Sequence, residues 1–202
     1  MSGRDRTPRK AIDDANARTR TADPTDRPVF GLFAALAILA FMIAVIALIW
    51  PSSNPPPGTP SAYAQAYGIP DSLAEMIVRI ADEEGIDRRL AFGLVAVESS
   101  FRPRAVSSAG AIGLAQVMPA TAASLQPGIE TERLFEPSTN LRLGFRYLRT
   151  LLDRYDDLTE ALLAYNMGPG TLARLRTSGR SPATGYPDRV LRAAARSGAV
   201  GR

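Results

Sequence analysis

Hydrophobic and polar positions divide the chain into stretches of different character. From Val29 to Trp50 apolar residues run without a period: VFGLFAALAILAFMIAVIALIW is 22 residues without a charge. At about 1.5 Å of rise per residue, roughly 20 apolar residues cross a bilayer core, so residues 29–50 are expected to form a transmembrane helix. From residue 70 onward the apolar positions recur at helical spacing. Leu73, Met76, Ile77 and Ile80 follow the i, i+3, i+4, i+7 template. Asp71 or Ser72 is expected to cap that helix, with Glu75 completing a Ser-x-x-Glu box and Gly85 as its stop. Leu90, Leu94, Val97 and Phe101 make the next stripe, opened by Asp87 and closed by Pro103. Residues 104–118 are rich in Ala, Gly and Ser and read as a loop long enough to wrap a site. Pro119 suits the first position of a short helix. Ser138 is expected to cap a helix whose stripe is Leu141, Phe145, Leu148 and Leu152. Asp157 and Glu160 open another through Leu158, Leu162 and Tyr165, and Gly168-Pro169-Gly170 breaks it. Two weaker helices follow near 170–177 and 186–197. No strand pattern competes, so the expected fold class is all-α.

The segments outside the periodic region complete the layout. Residues 1–28 are polar and aperiodic and read as a disordered tail. They hold Arg4, Arg6, Arg9, Lys10, Arg18, Arg20 and Arg27, whereas no basic residue follows Trp50 until Arg79. The positive-inside rule therefore places the N-terminus in the cytoplasm and the helical domain on the far side of an inner membrane, in the periplasm. Residues 51–69 begin with PSSNPPPGTP and are expected to be a Pro-rich, extended linker. The domain proper is expected over 70–202. A cleaved signal peptide competes with the anchor, through Ala62-Tyr63-Ala64. That site lies well past the apolar run, and the run exceeds a usual signal core, so an uncleaved anchor is the preferred reading.

Composition narrows the chemistry. The chain has no cysteine and no histidine. That excludes a disulfide framework, thiolate or imidazole metal sites and a Ser-His-Asp triad. Acid–base work must rest on carboxylates, tyrosines or the single lysine, Lys10. The net charge of +4 comes with no dense basic run interleaved with aromatics, so no nucleic-acid partner is expected. No metal or organic cofactor is expected either.

One residue stands out against this background. Glu98, in Ala96-Val97-Glu98-Ser99-Ser100-Phe101, falls on the edge of the buried stripe of its helix. A carboxylate there is costly unless it stays neutral or finds partners. A carboxylic acid whose pKa is raised by an apolar wall can protonate a glycosidic oxygen. Gln116, behind the Gly-rich loop, carries an amide that both donates and accepts hydrogen bonds. Met118, Tyr165 and Asn166 are individually explained as a core filler, a core aromatic and a helix-end residue.

In combination these residues resemble the soluble lytic transglycosylase family of peptidoglycan-cleaving enzymes, over roughly residues 72–190. The matching pieces are Glu98-Ser99-Ser100-Phe101, Ser107 with Gly110-Ala111-Ile112-Gly113-Leu114-Ala115-Gln116-Val117-Met118-Pro119, Pro137 and Asn140 with Gly144 and Tyr147-Leu148, Ala164-Tyr165-Asn166, and Tyr186. The resemblance implies a goose-type-lysozyme-like helical fold with a saccharide cleft. It implies Glu98 as the single acid, then base, in a non-hydrolytic cleavage of peptidoglycan. It further implies that Tyr165 orients Glu98 and that Ser107, Gln116, Met118 and Asn166 line sugar subsites. Ala115 departs from the family, which usually has Met there; a smaller side chain is expected to loosen packing or widen the cleft. Two other readings stay open: a hydrolase using a second carboxylate such as Glu130, Glu132 or Glu136, and a non-catalytic wall-binding module. General wall turnover and local gap-opening for envelope machinery fit equally.

Overall fold

The computed structural model describes residues 37–42, 55–182 and 185–196. The helical domain consists of α1 (Pro60–Tyr67), α2 (Asp71–Glu83), α3 (Arg88–Ser99), α4 (Pro119–Leu125), α5 (Pro137–Arg154), α6 (Leu158–Met167), α7 (Pro169–Thr177) and α8 (Tyr186–Ala195), with a 3-10 turn at Thr131–Phe135. The all-α expectation holds across the described residues, where the only extended pairings are isolated bridges, Val106 with Ile112 and Ile112 with Val117. The expected tail, 1–28, lies outside the described residues. Of the expected span at 29–50, only residues 37–42 are described; they are helical, with Ile38, Leu39, Phe41 and Met42 exposed. Among the described residues no helix is long and apolar enough to cross a membrane.

The helix starts follow the chain's polar punctuation, with two corrections. Asp87 and Asp157 cap α3 and α6, each accepting a hydrogen bond from a backbone N–H, Leu90 and Glu160 respectively, at 3.0 Å. Neither Asp71 nor Ser72 caps α2. The helix starts at Asp71 because Pro70, extended at ψ 142°, takes the N-cap position, and its carbonyl accepts from Leu73 and Ala74. Ser138 likewise caps nothing: Pro137 takes the first position of α5, where its missing N–H is not needed, and pushes Ser138 inside the first turn.

The expected spacer at 51–69 is helical in its second half. Thr59 and Pro60 act as cap and first residue of α1, whose N-cap hydroxyl accepts from Ala62 N, and Gly68 closes it at φ 66°. The prolines are a linker signal only up to Pro57; beyond them Tyr63 and Tyr67 sit one turn apart and face inward. Tyr63 stacks on Phe92 of α3 with ring centroids 4.2 Å apart and planes 5° from parallel.

The main core gathers α2, α3, α5 and α8 around Ile77, Ile80, Phe92, Leu94, Phe145, Leu148 and Tyr186. Each such side chain, fully buried, contributes roughly 1.5–3 kcal/mol. A smaller core of Ile112, Ala115, Val117, Leu134 and Leu143 lies under the 104–118 loop. At α2's end, Glu84 accepts from Arg146 of α5 at 2.9 Å.

The tightest helix contact is between α3 and α8, and Gly93 makes it possible. A Cβ at Gly93 would stand 2.6 Å from the Val190 carbonyl oxygen and 2.9 Å from the Ala194 Cβ. The helix backbones therefore meet with nothing between them. Gly93→Ala is expected to force α8 off α3 and to lower unfolding free energy by about 1–3 kcal/mol, as overpacking does. Urea denaturation followed by circular dichroism measures it.

Candidate active site

Glu98 sits in the last turn of α3, and the chain turns sharply just after it. The helix stops at Ser99, earlier than Pro103 requires. Ser100 closes it in the left-handed conformation (φ 51°, ψ 43°), its N–H bonded to Ala96 O. Phe101 is left-handed too, at φ 59°. Phe101 is thus not part of the helical stripe, although its ring still packs on the core. Non-glycine residues in this region cost roughly 1–3 kcal/mol each, and such strain gathers where a function over-determines the backbone.

The Glu98 carboxyl is partly buried and meets a buried phenol. Tyr186, the first residue of α8, donates its hydroxyl to Glu98 Oε1 in a short hydrogen bond. Burial pushes the Glu98 pKa from its ordinary value up to about 7, against the opposing pulls of the Tyr186 hydrogen bond and the Arg189 charge. Burial and the neighbouring Glu98 charge raise the Tyr186 phenol far above its ordinary value, so it remains a donor. Arg189 lies over the Tyr186 ring at 5.7 Å from the centroid.

Tyr165 does not hold the acid. Its hydroxyl donates to the Ala115 carbonyl at 2.8 Å. It lies near enough to Glu98 for that charge, after burial, to raise its pKa. The orienting role that the resemblance assigns to Tyr165 therefore passes, in hydrogen-bond geometry, to Tyr186.

The loop of residues 104–118 is held by one buried side chain. Asn140, fully buried on α5, donates to Ile112 O (2.7 Å) and Leu134 O (2.8 Å) and accepts from Ala115 N (2.8 Å). Gly113, at φ 81°, passes so close that a Cβ would stand 2.3 Å from Asn140 Nδ2. Ala115 is buried, and a Cβ on Gly144 would fall 2.4 Å from its methyl. The site of the family departure is thus tightly packed, and Ala115 is not among the residues lining the cleft described next.

Beside this loop lies a cavity of about 290 Å³, lined by Gln116, Met118, Tyr147, Tyr165, Asn166 and Met167 among others. Four of the expected substrate-binding residues therefore meet on one surface. Ser107 is not among its lining; its Oγ accepts from Ala111 N at 2.9 Å and shapes the loop. Glu98 does not line the cavity either, though its charge acts on Tyr165, which does. Gln116 is left-handed at φ 49°, and its side-chain nitrogen donates to Ala105 O (3.2 Å) and Gly113 O (2.9 Å). Its NH2 is committed to the loop, leaving Oε1 as the polar end for a ligand. Met118, 39 % exposed, is the N-cap of α4 and offers an apolar wall.

The family model described as "Transglycosylase SLT domain" matches residues 75–184. The chain belongs to the SLT transglycosylase family. A transglycosylase of Enterobacteria phage PRD1 is 38% identical to this SLT chain over 118 residues, covering 58% of it and 41% of the phage protein. The membrane-bound lytic murein transglycosylase C of Histophilus somni (strain 2336) is 36% identical over 137 residues, covering 58% and 38%. The SLT chain thus spans about two fifths of the length of these curated relatives. Among solved structures, the 70 kDa soluble lytic transglycosylase in complex with bulgecin A aligns over 69% of this chain and 26% of its own, at 25% identity and TM-score 0.56. An inactive glutamate-to-glutamine mutant of the Pseudomonas aeruginosa lytic transglycosylase Slt aligns over 62% and 24%, at 30% identity and TM-score 0.52. The lysozyme-like SLT fold expected from the sequence is the fold observed.

Sequence reasoning did not assign the Tyr186 bond, the Asn140 pin or the cleft positions of Tyr147 and Met167. Tyr186, Val190 and Ala194 do form an apolar stripe at helical spacing, which flags burial but names no partner.

Two outcomes follow from the acid's environment. Tyr186→Phe removes a donor that stabilises the carboxylate, so the Glu98 pKa is expected to rise above about 7, read by NMR titration of the carboxyl carbon. Stability carries the second. The folded pKa lies above the unfolded one, so the folded state binds the proton more tightly. Wild-type stability therefore falls as pH rises from about 4.5 to about 7, and the loss is complete above that range. Glu98→Gln is expected to be more stable than wild type at pH 8, by about 1–3 kcal/mol, with the gap closing near pH 4.

Proposed function

We propose that the chain is a membrane-anchored lytic transglycosylase of peptidoglycan, with Glu98 as acid and then base. The observation that carries this reading is a partly buried Glu98 engaged by the Tyr186 hydroxyl in an SLT fold, where burial pushes its pKa up to about 7. A carboxyl with that pKa is about half protonated at neutral pH, so one group can both give and take a proton.

In the proposed reaction Glu98 protonates the oxygen bridging N-acetylmuramic acid to N-acetylglucosamine. The bond from that oxygen to muramyl C1 breaks, and the substrate's own acetamido group stabilises the cation. The muramyl C6 hydroxyl attacks C1 and Glu98 takes its proton, leaving a 1,6-anhydro end and a regenerated acid. Substrate-assisted schemes of this kind dispense with the usual second carboxylate. Of the alternative carboxylates, Glu136 is engaged by Arg133 at 3.1 Å. Gln116, Met118, Tyr165 and Asn166 contact the sugars in this reading, and Ser107 supports the loop that carries them. The relatives that are lytic transglycosylases, one of them inactive after a glutamate-to-glutamine exchange, support it.

The anchor and the location belong to the same proposal. They rest on the apolar run 29–50 and on the basic residues before it, which put the helical domain in the periplasm where the polymer lies.

Digestion of purified peptidoglycan by the full chain, read by mass spectrometry, tests the reading. Muropeptides lighter than hydrolytic products by one water are expected. They should vanish with Glu98→Gln and persist in chelator. Reducing ends instead would establish a hydrolase.

A further inference from the structure

We propose that Tyr67 of α1 is a positioning residue for the acid: it fixes the register of α8 that keeps the Tyr186 hydroxyl on Glu98. The proposal rests on the reading of Glu98 as the reactive acid, and adds to the machinery a helix outside the residues the family model matches.

Tyr67 touches α8, α3 and the turn that follows the acid. Its hydroxyl donates to the Ala193 carbonyl of α8 at 2.7 Å. Its ring stacks on Phe92 of α3 at 5.3 Å and meets Phe101 edge-on at 5.3 Å. Phe92 precedes Glu98 on its helix and Phe101 follows it in the strained turn. Tyr67 thus grips both flanks of the acid and the helix that bears the acid's partner.

The contact between α3 and α8 explains why a hydrogen bond at the far end matters. Its centre is Gly93 against Val190 and Ala194, a close but smooth surface. The glycine permits the approach, and the buried Tyr186 and Val190 side chains of α8 pack into the core on that side. Polar contacts at the two ends add to the register that this packing gives, and Arg196 lies over the Tyr67 ring at 5.5 Å. Tyr186 on Glu98 is one. Tyr67 on Ala193, about two turns along α8, is the other. Because both bonds act on one rigid helix, loosening the second displaces the first.

The groups that face Glu98 are Tyr186 and Arg189 from α8 and Tyr165 from α6. Tyr67 brings no charge to this set. Its effect must therefore travel through the distance between Tyr186 and Glu98.

Tyr67→Phe keeps the ring stack and removes only the hydroxyl. In the full chain in detergent micelles, the Glu98 titration read by carboxyl-carbon NMR is expected to move to higher pH, as in Tyr186→Phe. In the Tyr67→Phe/Tyr186→Phe double variant the shift should equal that of Tyr186→Phe alone. Peptidoglycan turnover should fall several-fold in kcat at unchanged KM, with its alkaline limb moved upward by the same amount. An unmoved titration, or a double-variant shift equal to the two single shifts added, overturns the proposal. The titration needs no substrate, so wild type without turnover sinks the enzymatic reading while the titration still decides the role of Tyr67.

Discussion

The bare contact of α3 with α8 at Gly93 is the constraint on which the acid depends. Without a side chain at that position, two backbones approach until Tyr186 reaches Glu98. The acid then lies where burial favours its neutral form while one hydrogen bond tempers that preference. A carboxyl left alone in the same place would be still harder to ionise. One fully solvated would ionise too readily. The poise near neutrality comes from two helices meeting at a glycine.

The cleft wall depends on a different economy. A single amide, Asn140, satisfies three backbone groups of the Ile112–Ala115 loop and the 3-10 turn. Ala115 is then held at both ends, its N–H by Asn140 and its carbonyl by Tyr165. Buried backbone groups need such partners where no regular ladder supplies them. The loop can therefore be irregular, rich in Gly and Ser, and still present Gln116 and Met118 from a fixed place. Gly144 opposite Ala115 makes the same point sterically, since a Cβ there would stand 2.4 Å from the Ala115 methyl and must displace it.

Much of this architecture was legible in the chain, and what was not has a physical reason. The stripes of α2, α3 and α5 follow helical spacing, and Asp87 and Asp157 cap where their types suggest. Glu98 stood out as a carboxylate at the edge of an apolar face. Hidden were the interactions that join distant parts of the chain. Tyr186 and Glu98 lie in separate helices, and no periodicity encodes their meeting. The family resemblance points to Tyr165 as the residue that orients the acid, yet its hydroxyl donates to the Ala115 carbonyl. In α1 the helix was masked by composition: prolines that signal a spacer also serve as a helix start when a capping Thr precedes them. The early end of α3 was concealed because Phe101 continues the apolar pattern while its backbone has already turned left-handed.

The side chain of Gln116 carries one more consequence. An amide is ambivalent, but two carbonyls, of Ala105 and Gly113, surround its nitrogen and decide which way round it lies. Only the oxygen is left uncommitted, on a residue that lines the cavity. In the proposed saccharide reading that oxygen takes a sugar O–H or N–H and repels a bare lone pair, a preference the loop's own hydrogen bonds settle in advance.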